Sequence, residues 1–345
     1  MANYQIKMTP VEYYFFGGEK HNEDLTTNYF VESNDYPQQT TLLGLLRYFL
    51  LQKNKLLGGK NLPKEKQEEA GKNIGEQSFD FNSIANTFGK IISLSPLYFN
   101  DSKNNFFFAP LDIQFEISNN FILSDKENKT YTTKKHGNLI AQYLISEDSK
   151  EIIELSKIIK NISQVGNEKG DKGETKENAF YKQTMKQLAG GWSFVIDADI
   201  NEEIDENEDY FLPFGGEKCF FKLNFKKQEA FSPTYPSSHS RNVFSILCLS
   251  DCFTDGSKIK DLEFAVNNYV SYRNLRSKLS TQNFNSLKKD NEMEQGIKRS
   301  ERYQLLQRGS VLYFSDVEKG KLFAGNLKNT NGSSIGFNHI ITNQK

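Results

Sequence analysis

The strongest periodic signal in the chain lies between Leu42 and Leu50, where Leu42, Leu43, Leu45, Leu46, Phe49 and Leu50 recur at three-to-four spacing. That spacing predicts an α-helix over 40–52 with one face buried in a core. Thr40 or Thr41 is placed to cap it, because a hydroxyl satisfies free N–H groups of a first turn. Gly44 removes a side chain from the second turn. Glycine inside a helix costs about 1 kcal/mol relative to alanine, which points to close approach by another segment or a ligand. Arg47 follows three residues later, on the same side. A helix start with free backbone donors, a bare glycine and an arginine suits a phosphate backbone. The same residues also read as a capped core helix with an exposed arginine.

Around this helix the pattern is mostly of strands. Tyr4, Ile6 and Met8 alternate with polar residues and predict a strand over 3–12. Residues 89–99 are rich in β-formers, with Pro96 marking an edge or a strand end. Two strand segments are expected in 105–118, another apolar segment over 139–145, and a short helix within 152–162. The clearest strand is 192–200. It places Trp192, Phe194, Ile196, Ala198 and Ile200 on one side and Ser193, Asp197 and Asp199 on the other. Residues 220–225, 244–253 and the final segments are again strand-like. The polar stretch 53–77 reads as an exposed loop, and 278–302 as a long charged excursion. Residues 201–209 carry six carboxylates in nine positions, which reads as a solvated turn. Strands in both halves with few helices favour α+β over a doubly wound parallel sheet. The charged, Gly-containing stretch 164–178 reads as a mobile linker, separating residues 1–163 from 179–345.

Charge is balanced, 43 Lys+Arg against 44 Asp+Glu, which excludes a histone-like or tail-type nucleic-acid binder but not one basic face. Cys248 and Cys252 sit four apart in an apolar, strand-like run. An extended strand holds that pair beyond disulfide reach, so with Cys219 they read as buried thiols of a reducing compartment. No secretory h-region opens the sequence, and the longest apolar stretch is too short to span a bilayer. A soluble, cytoplasmic protein without membrane contact is expected.

Catalytic patterns are sparse. His21, His136, His239 and His339 are far apart, and HExxH, GxSxG and paired CxxC motifs are lacking. Neither a cofactor nor a metal is expected. Asp197 and Asp199 could hold Mg²⁺, but a solvated sheet face accounts for them more simply. A repeated element is more informative: Phe15 to Lys20 and Phe214 to Lys218 both run through Phe-Gly-Gly-Glu-Lys. A Gly-Gly pair permits a tight turn and close backbone approach. One copy in each half suggests a pseudo-duplicated architecture. Near the end, Gly332 and Gly336 flank Ser333 and Ser334 in a loop able to offer N–H groups to phosphates, or to form an ordinary turn.

In combination these pieces resemble the RAMP superfamily of CRISPR proteins. The resemblance rests on Thr9-Pro10, on Phe15 to Lys20, and on Tyr36-Pro37-Gln38-Gln39-Thr40-Thr41-Leu42-Leu43-Gly44-Leu45-Leu46-Arg47. Phe180-Tyr181-Lys182-Gln183 ahead of Gly190-Gly191, Phe214 to Glu217, Arg308 to Phe314 and Gly336 to Asn338 are similar to the third subunit of the Cmr (type III-B) effector complex. The classical Gly-rich loop is reduced here to NGSSIG. The resemblance implies two ferredoxin-like, RRM-related domains with antiparallel sheets and long loop insertions. It implies a non-catalytic role in antiviral defence, with binding of the five-prime repeat-derived handle of the CRISPR guide RNA. The implied protein partners are the large polymerase-like Cmr subunit and neighbouring RAMP backbone subunits, with target RNA met indirectly.

On that basis Arg47 and Lys182 are expected to hold phosphates, and Tyr29, Phe180 and Tyr181 to stack or wedge bases. Gly17, Gly18, Lys20, His21, Asn28, Gln38, Gln39, Thr40, Thr41, Gly44, Gln183, Gly215, Gly216, Lys218, Arg308, Ser333, Ser334 and Asn338 complete the expected RNA contacts. Two other readings remain open. One is a repeat-RNA endonuclease of the same superfamily, with His21 as base and Lys20 as charge stabiliser. The other is a purely structural interaction protein.

Overall fold

The computed structural model describes residues 2–20, 29–58, 62–75, 78–81, 87–117, 123–124, 130–131, 140–169, 175–228, 244–254, 262–273, 275–276, 298–328 and 331–343. His21, Asn28, His136, His239 and most of the expected excursion at 278–302 lie outside the described residues.

The fold is α+β with mostly antiparallel sheets and few helices. Its main sheet is built around β1 (Ala2–Pro10), which pairs on one side with β14 (Ser193–Ile200) and on the other with β16 (Phe220–Lys227). Alternation does what the sequence indicated: Tyr4, Ile6 and Met8 are fully buried, as are Phe194, Ile196 and Ile200 beside them. Beyond β14 come β5 (Tyr98–Asn100), β6 (Asn105–Phe108), β10 (Tyr143–Ser146) and β11 (Ile152–Glu154); beyond β16 comes the edge strand β15 (Tyr210–Pro213). β4 (Ile91–Leu94) also pairs with β14, so Pro96 breaks one strand path into two, as its missing N–H requires.

Helix α1 (Gln39–Lys53) lies on the Tyr4–Ile6–Met8 face and buries the six apolar residues from Leu42 to Leu50. Phe49 stacks on Phe225 at 4.7 Å between ring centroids, tying the helix to β16. Helix α2 (Lys64–Ile74) occupies part of the stretch expected to be a loop. Its sequence, KEKQEEAGKNI, has almost no apolar face, so periodicity could not reveal it; it is anchored only at its end, through Asn73 and Ile74.

The expected linker is a correction. Residues 164–169 and 175–178 belong to a hairpin of β12 (Ile159–Lys169) and β13 (Thr175–Leu188), entered through one turn of helix, α3 (Leu155–Ile158). β13 runs parallel to β3 (Tyr29–Ser33), which pairs with β2 (Gly17–Lys20). The main sheet also takes β14, β15 and β16 from beyond 164–178, so no division of sheets falls there. Polar composition describes an exposed ribbon as well as a linker, and only the pairing distinguishes them.

A four-stranded sheet closes the chain: β18 (Phe264–Val266), β23 (Val311–Phe314), β17 (Phe244–Cys248) and β24 (Ile340–Asn343), covered by α4 (Val317–Lys328) through Phe323, Ala324 and Leu327. Smaller pairings are β19 (Tyr269–Tyr272) with β22 (Tyr303–Leu306), β20 (Leu275–Arg276) with β21 (Lys298–Arg299), and the trio β7 (Glu116–Ile117), β8 (Leu123–Ser124) and β9 (Thr130–Tyr131). A short 3₁₀ turn over Leu111–Gln114 replaces the strand expected to continue from 111.

All three cysteines are buried free thiols. The chain leaves β17 at Cys248 and bends back, and the Cys252 thiol donates to the Ser250 carbonyl at 3.3 Å. The four-residue spacing is therefore not an extended one. Asp197 is also not on a solvated face. It is 2% exposed, near Tyr98, with Gln228 donating to it, and burial pushes its carboxyl up to about 7.

Candidate RNA-binding cleft

The two Phe-Gly-Gly-Glu-Lys elements meet in space but do not share a conformation. The first passes into strand β2, whereas the second makes a tight turn with Gly215, Glu217 and Lys218 all at positive φ. The Gly216 N–H donates to the Phe15 carbonyl at 2.7 Å. A Cβ on Gly215 would overlap that carbonyl, and one on Gly216 would come within 2.9 Å of the Phe15 ring. The second Gly-Gly pair is thus needed for close approach to the first element.

Between these two elements and the start of α1 opens a cleft of about 550 Å³. Gly17 and Asn34 form one wall, Gln38, Thr40, Thr41, Gly44, Arg47 and Tyr48 the floor, and Pro213 to Gly216 the other wall; Ser78, Phe79 and Arg273 close it. Two arginines and no carboxylate are among the described lining residues, in a chain whose net charge is −1. A second cleft of about 560 Å³ contrasts with it, since Asp35 and Glu154 there balance Lys160 and Lys186.

The helix start differs from the expected cap. Gln38 occupies the N-cap position, and no side chain caps the first turn. Neither Thr40 nor Thr41 serves, because both lie inside the helix; the Thr40 hydroxyl instead accepts from the Tyr272 hydroxyl at 3.4 Å. The positive end of the helix dipole therefore faces the cleft without a capping oxygen. A Cβ on Gly44 would meet nothing within 4 Å. Among the described residues none fills the space above it, and that face of the helix opens onto the cleft. Arg47 stands over the Phe88 ring at 5.5 Å, and burial lowers its guanidinium to about 10, which leaves it charged at neutral pH.

Several expected contacts lie elsewhere. Arg308 is fully buried, paired with Asp251 at 2.9 Å and stacked on Tyr36 and Phe108, so it is a core residue. Gln39 is fully buried and donates to the Ser95 and Ile335 carbonyls. Asn338 is buried and clasps Phe253, its Oδ1 accepting from the N–H and its Nδ2 donating to the carbonyl. The Gly-rich terminal loop spends its donors internally. The N–H groups of Gly336, Phe337, Asn338 and His339 all bond within the protein, and the Ser333 and Ser334 hydroxyls donate to the Lys328 and Asn331 carbonyls. That loop packs under the start of α1: Gly336, at positive φ, leaves room only for Gln39 Nε2 and the Ser95 carbonyl. Sequence pattern could not separate a loop that supports the helix from one that grips phosphate.

Lys182 is exposed on β13, and Gln183 lies beside it, but neither lines the cleft. Parallel pairing sets the backbone of Tyr181 in register with Tyr29, and Lys182 with Phe30, on the hairpin sheet. The backbones of Gly18, Lys20 and Phe180 belong to that same sheet, and Lys218 is exposed on the second Gly-Gly turn. Sequence reasoning missed Asn34, Tyr48, Ser78, Phe79 and Arg273. Tyr48 was legible as the neighbour of Arg47 on the helix; the others reach the cleft from distant segments without a local signal.

The family model described as CRISPR-associated protein (Cas_Cmr3) matches residues 6–136 and 124–344. The chain belongs to the Cmr3 family. By overall structure this Cmr3-family chain is similar to chains in cryo-EM structures of the type III-B Cmr-beta complex bound to cognate target RNA. One matches at a TM-score of 0.50 and 16% identity, over 98% of this chain and 96% of that one. Another, with AMPPnP also bound, matches at 0.50 and 14% over the same shares. These likenesses establish the fold. Among curated protein sequences none matches.

Proposed function

We propose that the protein is an RNA-binding, non-catalytic subunit of a type III-B Cmr effector complex. In this reading the cleft holds the five-prime handle of the CRISPR guide RNA, while other surfaces dock the large polymerase-like subunit and neighbouring RAMP subunits. The observation that carries it is the cleft itself: two arginines, an uncapped helix start, a bare Gly44 and two Gly-Gly elements converge with no carboxylate among the described lining residues. Backbone donors and arginines position a phosphate chain, and the half-buried Tyr48 offers aromatic surface to bases. The hairpin sheet carrying Tyr29, Tyr181 and Lys182 extends the same reading to a second contact, and the C-terminal sheet with α4 fits a second RRM-related unit.

The test is guide-RNA binding by the full chain across a salt series. Arg47→Ala is expected to weaken binding about tenfold or more by removing a charge-assisted contact. It should also lower the salt slope by about 0.7, the value per phosphate for a single strand. Unchanged affinity and slope in a folded variant would refute the site. The non-catalytic assignment predicts intact guide and target RNA after incubation with Mg²⁺ or Mn²⁺; cleavage that vanishes in His21→Ala would replace it with the endonuclease reading.

A further inference from the structure

A two-stranded ribbon leads away from the cleft. β19 and β22 pair from Tyr269 with Leu306 to Tyr272 with Tyr303. Val270, Tyr272, Tyr303 and Leu305 pack into the main core, where the Phe81 ring meets those of Tyr272 and Tyr303 at 5.4 and 5.6 Å. The ribbon is also tied to the start of α1. The Tyr272 hydroxyl donates to that of Thr40 at 3.4 Å, and Gln38 Nε2 donates to the Ser271 carbonyl at 3.5 Å. Arg273, the next residue of the chain, lines the cleft. The ribbon is thus a fixed continuation of the cleft wall.

Alternation turns Tyr269, Ser271 and Gln304 to the opposite face; only Leu306, at the far end of that row, enters the terminal core. Tyr269 is 55% exposed, and Arg273, Arg302 and Gln304 are exposed as well. Arg302 Nε donates to the Ser271 hydroxyl at 2.9 Å, which holds the guanidinium on this outer face. The pairing resumes between β20 and β21, where Arg276 is in register with Lys298 and Leu275 with Arg299. In sequence, 269–276 and 298–306 carry four arginines and one lysine against a single carboxylate, Glu301, in a chain whose net charge is −1. Such a local excess attracts a polyanion and repels a basic partner. Cations beside an exposed ring are what a single strand of RNA needs, since charge follows its backbone and a ring stacks a base.

We propose that the outer face of the β19–β22 ribbon carries single-stranded guide RNA onward from the cleft, with Arg273 and Arg302 on phosphates and Tyr269 stacked on a base. The strand rises about 3.4 Å per residue, so Tyr269 stands about 14 Å along the ribbon from Arg273. The proposal rests on the RNA-binding reading of the cleft and adds to it Arg302 and Tyr269, which lie outside the cleft lining.

The experiment measures fluorescence anisotropy of labelled guide RNA with the full chain across a salt series, alongside thermal melts. Tyr269→Ala is expected to weaken binding about tenfold, as loss of one stacked base does, with an unchanged salt slope. Tyr269→Phe keeps the ring and should bind like wild type. Arg302→Ala should weaken binding and lower the slope by about 0.7. All three should melt like wild type, because both side chains lie outside the core. Wild-type affinity and slope in either alanine variant would overturn the proposal, as would Tyr269→Phe binding as weakly as Tyr269→Ala. Alanine variants that keep their RNA affinity but lose another purified subunit of the complex would overturn it too, and mark the ribbon as a protein interface. Arg47→Ala provides the separate arm for the cleft. A defect in Arg47→Ala alone strikes the ribbon and leaves the cleft standing, whereas failure of wild type to bind guide RNA strikes both.

Discussion

Gly44 separates helix stability from RNA binding, because its missing side chain faces the cleft and meets none of the described residues. An added Cβ meets no atom within 4 Å, so Gly44→Ala should incur no packing penalty. It should recover the propensity lost to glycine, about 1 kcal/mol in a helix interior, and raise the denaturation midpoint. Gly44→Leu recovers nearly the same, since leucine is almost as good a helix former. The leucine, however, projects over the helix floor between Arg47 and the walls at Gly17 and Gly216. It should deny the RNA backbone its approach to Arg47. Losing one charge-assisted hydrogen bond is worth about 1.5–3 kcal/mol, or roughly ten- to hundredfold in affinity. Urea denaturation reports the first effect, and fluorescence anisotropy with labelled guide RNA the second. The expected pattern is two stabilised proteins, only one of which binds poorly. Tight binding by Gly44→Leu, or destabilisation by Gly44→Ala, would refute the reasoning.

Arg308→Ala should destabilise the protein by about 3–5 kcal/mol, because it leaves Asp251 buried without its counter-charge. Denaturation at fixed pH measures this, and a stable variant with a selective RNA defect would return Arg308 to the RNA surface. The Asp197 carboxyl titrates near 7 in the fold against an ordinary 3.8, so between those values the native state holds a proton that the unfolded chain releases. Stability should therefore fall as pH rises from about 4 to 7, by up to roughly 4 kcal/mol. Asp197→Asn should flatten that dependence and stabilise the protein at pH 8; denaturation midpoints at pH 5 and pH 8 that do not move in either protein would exclude it.

The strand β1, the helix α1 and the strand β14 were legible because each carries one apolar face with a fixed period, and burial of that face is a local property of sequence. α2 was not, since its few buried residues lie at one end. Residues 164–169 and 175–178 were misread because a two-stranded ribbon and a linker share the same polar composition. At the cleft, the sequence singled out Gln38, Thr40, Thr41, Gly44, Arg47 and both Gly-Gly pairs without saying that they meet. Arg308, Gln39 and Asn338 have polar side chains of the kind that bind RNA, yet each is buried and hydrogen-bonds to partners inside the protein.

The chain alone thus determined its α+β character, the core helix and the residue types at the helix start, since period and composition act over a few neighbouring positions. Tertiary structure decided which polar residues remain available. Pairing between Gly216 and Phe15, some 200 positions apart, shapes one wall of the cleft, while the loop ending at Gly336 takes Gln39 into the core. Whether a donor faces solvent or a buried partner depends on contacts between distant segments, and no local pattern encodes them.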